Sequence, residues 1–140
     1  MFRFEITKTM NVTLKEDQYK QISSKSNIIK ALDLGKAIGF DILKDNDIIG
    51  FAMLRKYDEG CYFLWDYAID YKYQNNQFGT KALLELIEYF KVNYSLKEMS
   101  TTYIFGNTIA ARVYEKVGFV TTDIVDEDDI HEVNMLLTIR

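Results

Sequence analysis

Two stretches of the 140-residue chain hold residues whose types and spacing could do chemistry. The first reads Tyr73-Gln74-Asn75-Asn76-Gln77-Phe78-Gly79-Thr80 and lies between a strand-like apolar run and a helical pattern. A loop entering a helix presents several free backbone N–H groups, and the helix dipole adds partial positive charge. A phosphate or pyrophosphate is the natural ligand for such a loop. Gly79 would let a ligand approach the main chain closely, while Asn75 and Asn76 tolerate left-handed conformations. An ordinary strand-to-helix turn would use the same residue types.

The second stretch is Gly106-Asn107-Thr108-Ile109-Ala110-Ala111-Arg112-Val113-Tyr114-Glu115-Lys116-Val117-Gly118-Phe119. Asn107 is placed to cap a helix that Gly118 stops. Tyr114 keeps its proton at neutral pH, so it could act as a general acid toward a departing thiolate. It could equally be an amphipathic core residue with its hydroxyl at the edge.

The elements that must position these stretches follow from hydrophobic period. Phe2, Phe4 and Ile6 alternate with polar residues, as in a half-buried strand. Thr13 and Glu16 have capping-box spacing, which predicts a short helix carrying Tyr19 and Ile22. A second helix is expected around Asn27 to Lys36, ended by Gly35. Three strands with two short turns, through Ile38–Ile42, Ile48–Leu54 and Cys61–Ile69, form an antiparallel meander. Ala82, Leu83, Leu86, Ile87 and Phe90 then share one helical face, and a strand near Met99–Phe105 completes a parallel crossover. Strands at Phe119–Thr122 and Ile130–Ile139 follow the second helix. The fold class is therefore α/β (α+β), a mixed central sheet flanked by helices, within a single domain over residues 1–140.

Composition narrows the function classes. The formal net charge of −4 argues against nucleic acid and favours a cationic partner. No apolar run reaches the length of a membrane span, so no membrane partner is expected. The single Cys61 cannot form an internal disulfide, which fits a cytoplasmic location. One Cys and one His131 are too few for a zinc site built on those ligands, and no Ser/His/Asp or Cys/His arrangement is legible.

Four segments carry a resemblance in combination: Ile48 to Met53 (IIGFAM), Tyr67 to Gln74 (YAIDYKYQ), Phe78 to Phe90 (FGTKALLELIEYF) and Gly106 to Phe119. From Asp47 onward, roughly two-thirds of the chain resembles the GNAT superfamily of N-acetyltransferases, and small bacterial spermidine/spermine (diamine) acetyltransferases in particular. The resemblance implies a sheet whose parallel fourth and fifth strands splay to admit the pantetheine arm of acetyl-CoA. Tyr67, Ala68 and Ile69 would offer strand-edge groups to that arm, and Gln74 to Thr80, including Gln77 and Phe78, would hold the pyrophosphate. Asn107 and Ala110 would contact the cofactor, and Tyr114 would protonate the CoA thiolate. Direct acetyl transfer to a small-molecule amine is implied, with no metal, and a homodimer is the assembly common among such enzymes.

The chain departs from the family pattern at two positions. Gln77 stands where the loop's central glycine is usual. Trp65 and Asp66 occupy the fourth-strand positions where polyamine-acetylating relatives carry an Asp-Arg pair. A one-residue shift would turn a strand side chain to the other face. Asp66, Asp70 and Glu132 are the candidates to receive the amine or its proton, with Asp66 leading, while the run from Asp123 to Asp129 could attract a polyamine or be solvated surface. The acceptor could also be an aminoglycoside, an amino acid or a protein N-terminus, and a non-catalytic CoA-sensing or protein-binding domain is the alternative of another class.

Overall fold

The longest apolar run in the chain becomes an interior strand of its sheet. The computed structural model describes residues 1–74 and 76–140, so the expectation on Asn75 lies outside the described residues. β3 (Asp47–Asp58) is buried on both faces from Ile49 to Leu54, which is why it reads as continuous rather than alternating. β1 (Phe2–Thr7), β2 (Ile38–Lys44), β3 and β4 (Cys61–Ile69) form the antiparallel meander. β5 (Glu98–Ile104) joins β4 in parallel, and the sheet closes in the order β1-β2-β3-β4-β5-β7-β6, with β6 at Val120–Glu127 and β7 at Ile130–Thr138. β7 therefore lies between β5 and β6, each paired antiparallel to it.

Helices cover both faces of the meander. α1 (Lys25–Asp33) is capped by the Ser24 side chain and buries Ile28, Ala31 and Leu32 against Phe51 and Met53. α2 (Phe78–Tyr94) and α3 (Thr108–Val117) pack on the opposite face, where Leu83, Leu86 and Phe90 join Phe40, Leu54 and Leu64. Gly118 ends α3 at φ 115°, as its position after the apolar stripe predicts.

The segment before α1 differs from expectation. Thr13 and Glu16 form no capping box. A 3-10 turn over Glu16–Lys20 is capped instead at Lys15, whose N–H donates to Gln18 Oε1 at 3.0 Å. Thr13 is used elsewhere: its N–H donates to Asp70 Oδ2 at 3.0 Å. A long-range carboxylate outcompetes the local pattern, and the segment becomes a strap across the end of β4.

Candidate functional site

The sheet splits where β4 and β5 part. Their parallel pairing runs from Cys61↔Glu98 to Leu64↔Thr101 and stops there. At the last pair the Thr101 hydroxyl donates to the Leu64 carbonyl at 3.0 Å, closing the base of the fork. Beyond it Thr102 to Ile104 pair only with β7, so β4 from Trp65 to Ile69 has no strand partner on its β5 side. The splay expected of the fourth and fifth strands is thus present. A cleft of about 660 Å³ opens from this gap, and Tyr67, Ala68, Ile69, Asn107, Ala110 and Tyr114 line it.

The loop expected to hold phosphate forms another wall. Gln74, Gln77, Phe78, Gly79 and Thr80 all line the cleft. Gln77 is the residue before α2 and adopts φ 62°, ψ 14°, a left-handed conformation that favours glycine. Its side chain makes no cap, whereas Ser24 caps α1 and Asn107 caps α3. Among the described residues, the first-turn N–H groups of α2 therefore face the cleft without a side-chain acceptor. A Cβ built on Gly79 would meet only Val113 Cγ2 at 3.8 Å and Ile69 Cγ1 at 3.9 Å, so sterics of the fold do not demand this glycine. These unfilled donors and the open space over Gly79 fit an anionic, phosphate-bearing group.

Gln74 is tied down: its Nε2 donates to Ile69 O at 3.0 Å and to Gln18 Oε1 at 2.6 Å. Asn76 Nδ2 donates to Gln74 O at 3.4 Å within the same loop. Asn107 Oδ1 accepts from Ala110 N–H at 3.1 Å, and its Nδ2 donates to Gln21 Oε1 at 3.2 Å. The strap thus reaches both loops expected to hold the cofactor through Gln18 and Gln21. These contacts span 56 and 86 residues, and no local pattern announces them.

Asp66 and Tyr114 approach the fork from opposite faces of the sheet. Across β3, Met53 pairs with Asp66 and Leu54 with Leu64, leaving Trp65 as an extra residue in a β-bulge. The bulge puts Asp66 on the face of Met53 and Ala68, beneath the strap. Asp66 is 4% exposed; its Oδ1 accepts the Ser23 N–H at 2.9 Å, while Oδ2 is buried with no partner among the described residues. Burial raises its pKa, and the Ser23 hydrogen bonds only partly oppose this. Tyr114 is buried on the other face between Tyr103 and Phe119. Burial pushes its phenol up to about 12, the Thr101 hydroxyl pulling down and the Asp66 carboxylate pushing further. Tyr67 is raised well above its ordinary value, by burial first and then by the neighbouring Tyr114, and its hydroxyl donates to Gly79 O at 2.5 Å. That bond fastens β4 to the first turn of α2.

The other acid candidates stand apart. Both oxygens of Asp70 are committed, to the N–H groups of Thr13 and Lys72, each at 3.0 Å. Glu132 is exposed on β7 opposite Ile104. His131 and Cys61 lie outside the cleft lining, His131 against Asp126 in the β6–β7 hairpin. Among the described residues no group of His, Cys, Asp and Glu could hold a metal ion. No helix of the described residues is long and apolar enough to cross a membrane.

A family model described as the acetyltransferase (GNAT) family matches residues 8–119, reaching well into the N-terminal third, where the resemblance read from the residues is loose. A spermine/spermidine N(1)-acetyltransferase of Bacillus subtilis is 33% identical over 82 residues, and the match covers 54% of each chain, so this chain spans about half the length of that relative. A GNAT family acetyltransferase from Elizabethkingia anophelis, solved with acetyl-CoA bound, is similar in fold with a TM-score of 0.74 at 21% identity, covering 99% of this chain and 98% of that one. An aminoglycoside acetyltransferase solved with coenzyme A and kanamycin has a TM-score of 0.76 at 15% identity, covering 99% and 95%.

Proposed function

Because the chain belongs to the acetyltransferase (GNAT) family, we propose that it moves the acetyl group of acetyl-CoA directly onto a primary amine of a small molecule. The observation that carries this reading is the fork itself: a buried Asp66 oxygen with no partner among the described residues on one face and the Tyr114 phenol on the other, at the point where β4 and β5 separate. Acetyl-CoA supplies the activated thioester. The unpaired edge of β4 suits its pantetheine amides, and the uncapped first turn of α2 suits its pyrophosphate.

The residues divide the proton traffic. A primary ammonium has an ordinary pKa of about 10.4, so the acceptor must lose a proton before it attacks. Burial holds the Asp66 carboxyl above its ordinary range, and Oδ2, which has no partner among the described residues, is the atom assigned to receive that proton, although Asp66 lies outside the cleft lining. As nitrogen bonds to the acetyl carbon it sheds its second proton to solvent, and the carbon–sulfur bond breaks with its electron pair staying on sulfur. Tyr114, protonated across the neutral range, donates its hydrogen bond to that sulfur and then its proton. Its high pKa makes full transfer uphill to an ordinary thiolate, but the burial that raises the phenol also raises a thiol in the same cleft.

A polyamine such as spermidine or spermine is the finer reading of the acceptor. The excess of acidic over basic residues steers cations toward the protein, and Asp66 gives one ammonium a buried counter-charge. The similarity to a spermine/spermidine acetyltransferase supports the same class. A binding module without turnover is the competing reading, favoured by Gln77 at the left-handed position of the phosphate loop. Thiol release from acetyl-CoA across a panel of polyamines, aminoglycosides and amino acids tests both. Turnover selective for polyamines supports the proposal, while acetyl-CoA binding with no turnover on any amine supports the module.

A further inference from the structure

The cleft has an electrostatic character opposite to that of the chain. The sequence holds 21 acidic residues against 17 Lys and Arg, yet the cleft is lined by Lys15, Arg112 and Lys116 and by one acid, Asp17. Among the described residues none of these three cations makes an ion pair; the pairs present involve other side chains. Arg112 and Lys116 are four apart on α3, where like charges face each other and repel. Lys15 reaches the same space from the strap, which is joined to the cap of α3 by the Gln21–Asn107 hydrogen bond. Two separate elements therefore bring uncompensated positive charge to one cavity.

The α2 N-terminus already provides one locus for an anion, and the cation rim is a second. Coenzyme A carries two separated anionic groups, its pyrophosphate and the phosphate on the 3′ position of its ribose. We infer that Lys15, Arg112 and Lys116 hold the 3′-phosphate, making this rim the determinant that selects acetyl-CoA over acetyl-3′-dephospho-CoA. The inference rests on the reading of the cleft as an acetyl-CoA site. Exposed cations interact weakly one at a time and are screened by salt, so the selectivity is shared among the three and greatest at low ionic strength.

Isothermal titration of the full chain with each of the two nucleotides measures this directly. The unsubstituted protein should bind acetyl-CoA roughly tenfold more tightly than the dephospho form at low salt, with the ratio shrinking as salt rises. The Arg112→Ala/Lys116→Ala variant should bring the ratio close to one while leaving affinity for the dephospho form unchanged, and Lys15→Ala, on a different element, should narrow it part of the way. Melting of the unliganded variants checks that the exposed substitutions leave the fold intact. Equal binding of both nucleotides by the unsubstituted chain would overturn the inference alone. So would an equal loss of both in the variants, which would assign the rim to the pyrophosphate. Binding of neither nucleotide would overturn the reading of the cleft as well.

Discussion

Asp66 receives the main-chain N–H of Ser23 on Oδ1 at 2.9 Å and leaves Oδ2 buried without a partner among the described residues. A half-satisfied buried carboxylate destabilises a fold, and its placement at the fork makes it useful to an amine.

The Asp66→Asn variant should therefore lose acetyl transfer while gaining stability at neutral pH. The native protein holds the Asp66 proton more tightly than the unfolded chain does. The stability this residue confers is thus full below the ordinary carboxylate range and is lost as pH rises through the raised native value. Asparagine removes that loss, so about 1–3 kcal/mol is expected near neutrality, a rise of several degrees in Tm, with no gain in acid. Thermal melts at both pH values check the sign. In the unsubstituted protein the proposed acetyl transfer should slow on acidification at a pH above the ordinary carboxylate range.

Much of this arrangement was legible in the sequence. Asn107 and Gly118 bracket α3 as local capping rules require, and the period of Ala82, Leu83, Leu86 and Phe90 gave α2 its buried face. Gln77 stood out as a departure, and its φ of 62° supplies a physical reason why glycine is usual there. The strap was not legible. Its bonds from Thr13 to Asp70, Ser23 to Asp66, Gln18 to Gln74 and Gln21 to Asn107 join residues distant in sequence, and the first of them displaced the local capping box read at Thr13. The face of Asp66 was equally hidden, because the bulge at Trp65 is set by register against β3 rather than by strand alternation.

Replacing Tyr114 with Phe keeps the ring packed against Tyr103 and Phe119 and removes only the hydroxyl. A positioned proton donor contributes about 10²-fold or more, so kcat should fall by roughly that factor with the amine KM little changed. Steady-state kinetics decides it, and undiminished turnover would take Tyr114 out of the reaction.

Gln77→Gly should improve the loop twice. A non-glycine residue in the left-handed region costs about 1 kcal/mol, which glycine relieves in part. Loss of the side chain also opens the approach to the α2 amides. A small rise in Tm and several-fold tighter acetyl-CoA binding are expected; weaker binding would show that the Gln77 carboxamide itself holds the ligand.

Gly79→Ala separates fold from site. The added methyl meets neighbours no closer than 3.8 Å and favours the helix by up to about 1 kcal/mol, so melting should hold or rise. The same methyl enters the space assigned to the pyrophosphate, and acetyl-CoA affinity should drop roughly tenfold, or about 1.4 kcal/mol. Unchanged affinity would move the phosphate away from this turn.

The most direct test of the whole account incubates the purified chain with acetyl-CoA and spermidine, then follows thiol release alongside mass spectrometry of the amine. Stoichiometric thiol and monoacetylated spermidine, with no acetyl group left on the protein, are the predicted result. Acetyl-CoA that is neither bound nor consumed with any amine would contradict it.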